Sequence, residues 1–216
     1  MKPGKLASLP TIKRLPSYLH VVEAAAREGR TFISGTVIAD ELELEPIQVR
    51  KDLATTGIIG KPRIGFPVQE LIEAINSFLD WNRVHNAVLV GAGHLGTALM
   101  GYAEFPRHGM HIVAAFDPDS AKVGSTINGV PIFDLDELTG QIRHKGVDLA
   151  ILTVPSPHAQ SVADLLVECG IRAIWNFTNV KIKVPEHIVV QKEDLSSGYA
   201  VLSVKMRTQQ ALALDS

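Results

Sequence analysis

The feature that most constrains the fold is a set of three glycines, Gly91, Gly93 and Gly96, placed directly after an apolar stretch of strand length at 87–90. Apolar residues at helical spacing follow over 95–102, so the local order is strand, tight turn and helix. In this order the first glycine permits a sharp turn, the second lets the backbone approach a pyrophosphate, and the third lets the helix pack closely on the strand. The pattern predicts a nucleotide-binding turn, although a purely structural glycine turn is the alternative.

An acidic residue follows at the distance that such a turn requires. The apolar run 112–116 ends in Asp117, 21 positions after Gly96. A carboxylate there accepts hydrogen bonds from a ribose and repels a 2′-phosphate, so we expect NAD rather than NADP. The predicted cofactor contacts in the turn are Gly91, Ala92, Gly93, His94, Leu95 and Gly96.

The rest of the second half alternates strands and helices. Apolar runs at 130–133, 147–154, 173–177 and 188–190 have strand length, and helical patterns separate them. This alternation predicts an α/β fold of the Rossmann-like type, a doubly wound parallel sheet with helices on both faces. Ligands bind at the carboxyl ends of the strands in such sheets. His158 follows the 147–154 run and therefore falls at that end.

The first third of the chain has a different pattern. Three short helices are predicted at 10–28, 34–44 and 45–57, and the glycine-rich stretch 57–68 has the alternation of a small β-hairpin. This order is that of a winged helix-turn-helix domain. An amphipathic helix over 68–81 then connects the two parts.

The third of these helices carries the side-chain types that contact DNA. Its spacing predicts a core-facing side made of Ile47, Val49 and Leu53. The predicted DNA-binding residues are Gln48, Arg50 and Lys51 on this helix, Lys13 and Arg14 on the first helix, and Lys61 and Arg63 in the hairpin. The alternative is an ordinary solvated helix face with unrelated surface charges.

Charge is distributed unevenly along the chain. Residues 1–63 carry ten basic and seven acidic side chains, which gives a net charge of +3. The whole chain has a net charge of −2, so the remaining residues together carry −5. A basic first part on an acidic body predicts a polyanionic partner for the first part only.

The composition excludes several classes of protein. No apolar run approaches the length of a membrane span, and the N-terminus, with Lys2 and Lys5, lacks a signal-peptide core. We therefore expect a cytoplasmic protein with no membrane partner. Cys169 is the single cysteine, so we expect no intrachain disulfide and no metal site, and we expect this thiol to be buried near a helix end.

The C-terminal segment 196–214 is apolar on one side and follows the completed sheet. Its apolar residues are Tyr199, Leu202, Val204, Met206 and Leu212. Packing onto its own domain is one outcome. We favour docking into a partner subunit, since helix-turn-helix proteins usually act as dimers on palindromes.

These strings together resemble one known family, the Rex redox-sensing transcriptional repressors, over nearly the whole chain. The resemblance rests on Thr11-Ile-Lys-Arg-Leu-Pro-Ser-Tyr-Leu, Gln48-Val-Arg-Lys-Asp-Leu, Gly60-Lys-Pro-Arg-Ile-Gly-Phe, Gly91-Ala-Gly-His-Leu-Gly, Phe116-Asp-Pro-Asp, Val154-Pro155, Trp175-Asn-Phe and Val184-Pro-Glu. It implies a winged-helix domain with its connecting helix at 1–82, a Rossmann NAD(H)-binding domain at 83–194 and an exchanged dimerisation helix at 195–216.

The resemblance also implies a function. Such proteins are homodimers that bind palindromic operator DNA when NADH is scarce and release it when NADH binds, with NAD⁺ as the competing ligand. Val154 and Pro155 would contact the cofactor, and Tyr102 and Asp194 would form a pair near its nicotinamide end. Leu195 would approach the pocket of the neighbouring subunit.

An NAD-dependent dehydrogenase is the rival interpretation of the same sheet. Hydride chemistry needs an acid or base and a domain that orients the substrate. Only 26 residues follow Val190, too few for such a domain, and His158 has no obvious acidic or basic companion in the sequence. We expect a regulator with no catalytic residues. A cofactor-storage or CoA-binding module also fits the sheet, but not the basic N-terminal part.

Overall fold

The computed structural model describes residues 7–214, with side chains through residue 210. Lys2, Lys5 and the side chain of Leu212 lie outside the described residues. The chain divides into two compact units, Met1–Arg83 and Val84–Ser216.

The N-terminal unit is mainly helical. Its elements are α1 (Leu9–Arg27), β1 (Phe32–Ile33), α2 (Gly35–Glu41), α3 (Pro46–Ala54), β2 (Phe66–Pro67) and α4 (Val68–Phe78). One hydrophobic core joins all four helices, with Leu19, Ile38, Leu53 and Leu71 each fully buried. The predicted connecting helix, α4, is therefore part of this core.

Local signals set the helix boundaries. Ser8 caps α1 by accepting a hydrogen bond from the Thr11 N–H, and Ser34 caps α2 by accepting one from the Val37 N–H. Pro46 takes the first position of α3, where its missing N–H costs nothing. Pro16 lies inside α1 and not in its first turn, so the helix continues past a proline that removes one of its hydrogen bonds.

The predicted hairpin at 57–68 is reduced to its smallest form. Lys61 and Gly65 form a single antiparallel bridge, closed by hydrogen bonds of 2.7 Å and 3.0 Å. Strand β2 pairs instead with β1, a two-residue strand that the sequence did not reveal. Proline lacks a donor N–H, so a segment with Pro62 and Pro67 cannot sustain a long ladder. We call the segment 57–67 the wing.

The C-terminal unit is built around a sheet. Its strands are β3 (His85–Val90), β4 (Met110–Phe116), β5 (Thr126–Ile127), β6 (Val130–Phe133), β7 (Leu149–Leu152), β8 (Ala173–Asn176) and β9 (Val189–Lys192). Its helices are α5 (His94–Met100), α6 (Glu104–Arg107), α7 (Leu138–Lys145), α8 (Ala159–Glu168) and α9 (Leu195–Leu214). The strand order is β5-β6-β4-β3-β7-β8-β9, and among the described strands of this sheet only β5 is antiparallel to its neighbour. The predicted parallel sheet is confirmed.

Alternate residues of the central strands enter different cores. Val88 and Val90 belong to the core that contains residues of α7 and α8, whereas Leu89 packs with Met100 on the opposite face. A sheet covered on both faces explains why these strands are continuously apolar and not alternating. Cys169 is buried at the end of α8, as expected.

Helix α9 confirms the predicted C-terminal helix and leaves its apolar side uncovered. Tyr199 is 72% exposed, and Leu195, Val201, Leu202, Val204 and Met206 are all more than half exposed. No helix in the described part of the chain has both the length and the apolar character needed to cross a membrane.

Candidate functional site

Two of the three glycines are required by the protein itself. Gly91 has φ of +102°, a left-handed conformation that side chains rarely adopt, and an added Cβ would lie 2.8 Å from the Thr153 backbone. A Cβ on Gly96 would overlap the Gly91 carbonyl oxygen. The sharp turn and the close packing of helix on strand are therefore both present, as the sequence predicts.

Gly93 differs from both neighbours. Its φ of −77° is open to any residue, and a Cβ added there would meet no atom within 4 Å. Neither backbone strain nor packing calls for glycine at this position. The remaining physical reason for glycine is the approach of another molecule to the backbone, so this turn fits a pyrophosphate.

Thr153 fixes the glycine turn from the neighbouring strand. Its hydroxyl lies 2.8 Å from the Gly91 carbonyl oxygen and 3.0 Å from that of Val90. Strand β7 pairs in parallel with β3, so the segment that follows it, with Val154 and Pro155, leaves the sheet next to the glycine turn. Thr153 could not be predicted from the sequence, since only strand pairing brings it to the turn.

The remaining predicted residues of the turn divide by exposure. Ala92 is buried, Leu95 is half-buried, and His94, the first residue of α5, is exposed. Helix α5 has only seven residues, so its N–H groups contribute at short range and its macrodipole is small.

Asp117 lies directly after β4, the strand adjacent to β3, with its side chain only 9% exposed. One carboxylate oxygen accepts the Asp119 N–H at 3.0 Å. Both oxygens lie 3.3 Å from the Lys122 ammonium group. The acid predicted to meet a ribose therefore lies at the carboxyl end of the sheet, and its partner Lys122 was not predicted from the sequence.

The predicted pair at the nicotinamide end has separate local partners in this chain. Asp194 lies before α9, where its carboxylate accepts hydrogen bonds from the Ser196 hydroxyl and the Ser196 N–H, and these hold the pKa of Asp194 below its ordinary value. Tyr102 packs edge-on against Phe105, with the ring centroids 4.8 Å apart. The aromatic contacts continue from Phe105 to Trp175 at 5.6 Å.

The outward face of α3 differs from the prediction in one respect. Val49 and Leu53 are fully buried, as expected, but Ile47 is 57% exposed, so its placement in the core was wrong. Ile47 is the second residue of the helix, and the first buried residue, Val49, comes two positions later. Arg50 and Lys51 are exposed as predicted.

The carboxylate of Asp52, whose role was not predicted from the sequence, is buried on the side of α3 that faces α1. Asp52 is 2% exposed and accepts hydrogen bonds from the side chains of Thr11, Arg14, Tyr18 and Gln48, at distances of 2.7–3.1 Å. This network joins α1 to α3. Burial by itself raises the pKa of Asp52, but the hydrogen bonds outweigh it and hold that pKa below its ordinary value.

The network changes the interpretation of two predicted DNA-binding residues. The Arg14 guanidinium makes a two-pronged contact with Asp52, which raises the pKa of Arg14, and the Gln48 amide donates to the same carboxylate at 2.9 Å. Both side chains therefore help to hold α3 against α1. Lys13 is exposed on α1 and has no such contact with Asp52 among the described interactions.

Three of the remaining basic residues share one groove. Arg50, Lys61 and Arg63 line a cavity of about 640 Å³ between α3 and the wing. The Arg50 stem packs over Gly35 at the start of α2, and the Lys61 ammonium lies 4.9 Å from the Phe32 ring centroid. The two ends of this groove are thus placed by the α2 N-terminus and by β1.

His158 and the possible metal ligands were the remaining candidates for chemistry. His158 is exposed, in a short 3₁₀ turn before α8. Within the described part of the chain, no three His, Cys, Asp or Glu side chains are grouped in a way that could hold a metal ion.

Comparison with known proteins gives the family. Residues 82–180 match the family described as "CoA binding domain", and residues 7–54 match "Putative DNA-binding protein N-terminus". A redox-sensing transcriptional repressor Rex from Treponema denticola is 56% identical over 209 residues, which cover 97% of this chain and 100% of that protein. A protein of the same name from Bacteroides thetaiotaomicron is 41% identical over 193 residues, or 89% of this chain and 88% of that one.

The chain belongs to the Rex family of redox-sensing transcriptional repressors. This family consists of regulators, so the dehydrogenase alternative is not favoured. Solved structures of RSP, a Rex-family repressor, agree over almost the full length. RSP in complex with β-NAD⁺ and operator DNA gives a TM-score of 0.87 at 29% identity, covering 97% of this chain and 96% of RSP. RSP in complex with β-NADH also gives 0.87, at 28% identity, covering 98% and 100%.

Proposed function

We propose that this Rex-family protein is a repressor that binds palindromic operator DNA when NADH is scarce and releases it when NADH binds. The observation that carries the proposal is Gly93, whose missing side chain serves neither the backbone conformation nor the packing. The complexes of RSP with β-NADH and with β-NAD⁺ and operator DNA support the same ligands here. A DNA-binding repressor works beside the chromosome, so we also propose a cytoplasmic location.

We assign the cofactor to the carboxyl end of the sheet. Residues 91–96 would surround the pyrophosphate, Asp117 would accept the ribose hydroxyls, and Val154 with Pro155 would line the nicotinamide side. The nicotinamide supplies the redox signal, because its oxidised form carries one more positive charge than its reduced form. Asp117 would contact the ribose at the other end of the dinucleotide, so it would bind the oxidised and reduced forms equally. Discrimination between the two forms must therefore come from the nicotinamide end, where Tyr102 and Asp194 are the candidates.

We assign DNA contacts to the groove between α3 and the wing. Arg50 and Lys51 would contact base edges and phosphates in a major groove, and Lys61 and Arg63 would approach the neighbouring backbone or minor groove. Lys13 would add a phosphate contact from α1. Arg14 and Gln48 would act mainly through Asp52, by holding α3 in place.

We propose that the protein is a homodimer in which the α9 helices exchange between subunits. Besides Tyr199, five apolar side chains of α9 are more than half exposed in the single chain, and burial of such a surface favours association. Two DNA-binding units in one dimer would match the two half-sites of a palindrome, which lie about one helical turn apart.

Release would follow from a change in half-site spacing. NADH would favour an arrangement of the two DNA-binding units that no longer matches the operator, without altering any base contact. To take the operator from almost fully bound to almost fully free, the ligand must prefer the released arrangement by about 5.5 kcal/mol.

The test is a fluorescence-anisotropy titration with a pool of palindromic AT-rich duplexes at fixed salt, since phosphate contacts make affinity salt-dependent. We expect duplex binding that NADH reverses and that NAD⁺ reverses much less. Arg50→Ala should lose at least about tenfold in duplex affinity and keep its NADH affinity. A tight NADH complex without affinity for any duplex would contradict the proposal and return the enzyme interpretation.

A further inference from the structure

The interaction between Asp117 and Lys122 carries information about cofactor choice that the glycine turn does not. Asp117 is a nearly buried acid at the end of β4, and Lys122 is the cation that faces both of its oxygens. The two residues lie five positions apart, joined by a tight turn. This inference rests on the proposed function, because it concerns the selectivity of the same cofactor site.

The turn holds Lys122 in position. Its backbone N–H donates to the Asp119 carbonyl at 2.9 Å, and its own carbonyl accepts the Ser125 N–H at 3.0 Å. The side chain is 33% exposed, so the ammonium group can meet a ligand that enters from solvent. Its place does not depend on a long flexible loop.

The carboxylate retains capacity to accept ribose hydroxyls. One oxygen of Asp117 accepts both the Asp119 N–H and the Lys122 ammonium, whereas the other contacts only Lys122 among the described hydrogen bonds. An ionised carboxylate offers about four acceptor positions. Lys122 can therefore fix the orientation of Asp117 without saturating it.

The local charge explains what the site rejects. Asp119 lies 3.6 Å from the Lys122 ammonium, so the three side chains carry a net charge of −1. A 2′-phosphate brought next to that group would meet repulsion, although a lysine stands within reach. Without Asp117 the cluster would be neutral, and Lys122 would face the space that the carboxylate had filled.

We infer that Lys122 is a specificity-determining residue of the cofactor site: Asp117 masks a lysine that would otherwise bind a 2′-phosphate. In the native chain Lys122 positions Asp117 for the ribose hydroxyls and thereby supports NADH binding. When Asp117 is replaced by a small neutral residue, the same lysine accepts the phosphate of NADPH. Cofactor choice is thus set by the pair and not by the acid alone.

The experiment compares the full-length protein with Lys122→Met, Asp117→Ser and the double variant. Each protein is titrated with NADH and with NADPH by isothermal calorimetry, without DNA. Arg143→Met is the matched control, because it removes one exposed positive charge from α7 of the same unit. Thermal unfolding of each variant shows that it is folded.

We expect Lys122→Met to weaken NADH binding roughly threefold, as loss of a partly exposed ion pair would. Asp117→Ser should gain at least about tenfold in NADPH affinity, because it removes a like charge next to the phosphate. The double variant should lose that gain. Arg143→Met should bind both nucleotides like the native protein.

Two results would overturn the inference. If Asp117→Ser gained no NADPH affinity, or if the double variant with Lys122→Met gained as much, Lys122 would not be the phosphate partner. If the native protein bound NADPH as tightly as NADH, Asp117 would not mask Lys122. Failure of the folded native protein to bind NADH at all would instead overturn the proposed function, and this inference with it.

Discussion

At the scale of the residue, Gly93 and Gly96 show why a shared motif does not imply a shared role. The sequence predicts a different job for each, but only the structure gives the space around them. Gly96 has no room for a Cβ, and Gly93 has room and an ordinary backbone conformation. Stability and binding should therefore respond to substitution at different positions.

We expect Gly93→Val to fold with nearly native stability and to lose NADH binding, because its side chain would occupy the space intended for the pyrophosphate. Gly96→Val should instead destabilise the C-terminal unit by several kcal/mol, since its Cβ overlaps a backbone oxygen. Thermal unfolding and calorimetric titration measure the two effects. Equal loss of stability in both variants would contradict the assignment of Gly93 to the ligand.

Asp52 makes a prediction about pH. Its pKa is lower in the folded chain than its ordinary value of 3.8, so the unfolded chain binds the proton more tightly. The stabilisation is therefore complete above the ordinary value and is lost as the pH falls through the lower folded pKa. Burial and the hydrogen bond to Asp52 raise the pKa of Tyr18 to about 12. Its contribution to the free energy of unfolding is therefore complete below pH 10 and is lost as the pH rises to about 12.

We expect Asp52→Ala to destabilise the N-terminal unit by about 3–5 kcal/mol at neutral pH, because Arg14 and the Tyr18 hydroxyl lose a buried partner. This deficit should begin to shrink as the pH falls below the ordinary value of 3.8, because the unfolded chain then takes up a proton that native Asp52 binds less tightly. Urea unfolding of both proteins, monitored near pH 7 and near pH 3, gives the comparison. A deficit independent of pH would show that the carboxylate charge does not matter.

At the scale of the element, the sequence predicted best where one pattern continues over several turns or strands. The sheet, α1, α4 and α9 follow from such patterns. Short elements were not predicted. Helix α6 has four residues and β5 has two, so neither is long enough to show a periodic spacing of apolar residues. Ile47 was misplaced because apolar spacing alone cannot tell where the buried sector of a short helix begins.

The site followed the same rule. The glycine turn and Asp117 were predictable because local chain order creates them. Thr153, Lys122 and the Asp52 network were not, since strand pairing, a turn and the packing of α1 on α3 bring those groups together. Side-chain contacts across elements leave no trace in the spacing of one sequence.

Helix α9 makes a prediction about assembly. We expect Leu202→Glu to weaken the dimer by about 2 kcal/mol or more, since it places a charge in an apolar contact. Gln209→Glu adds the same charge on the same helix at an exposed polar position and should leave the dimer intact. Sedimentation velocity decides whether each protein exceeds the 23.4 kDa of one chain. A native monomer, or an unaffected Leu202→Glu dimer, would contradict helix exchange.

At the scale of the whole molecule, one chain joins a unit suited to DNA with a larger unit suited to a dinucleotide. Composition alone suggested this division, through a net +3 over residues 1–63 on an otherwise acidic chain. Neither unit needs to catalyse a reaction for the protein to act as a sensor. What matters is that NADH binding in one unit changes the free energy of DNA binding by the other, and the same coupling must act in reverse.

The most direct test of this coupling is the operator dissociation constant of the native protein with and without saturating NADH, compared with that of Gly93→Val. We predict that NADH raises the operator dissociation constant of the native protein by more than about a hundredfold and leaves that of Gly93→Val unchanged. A preference of NADH for the released arrangement of about 5.5 kcal/mol is large enough for such an increase. Native DNA binding that ignores NADH, or a Gly93→Val protein that still responds to it, would contradict the account.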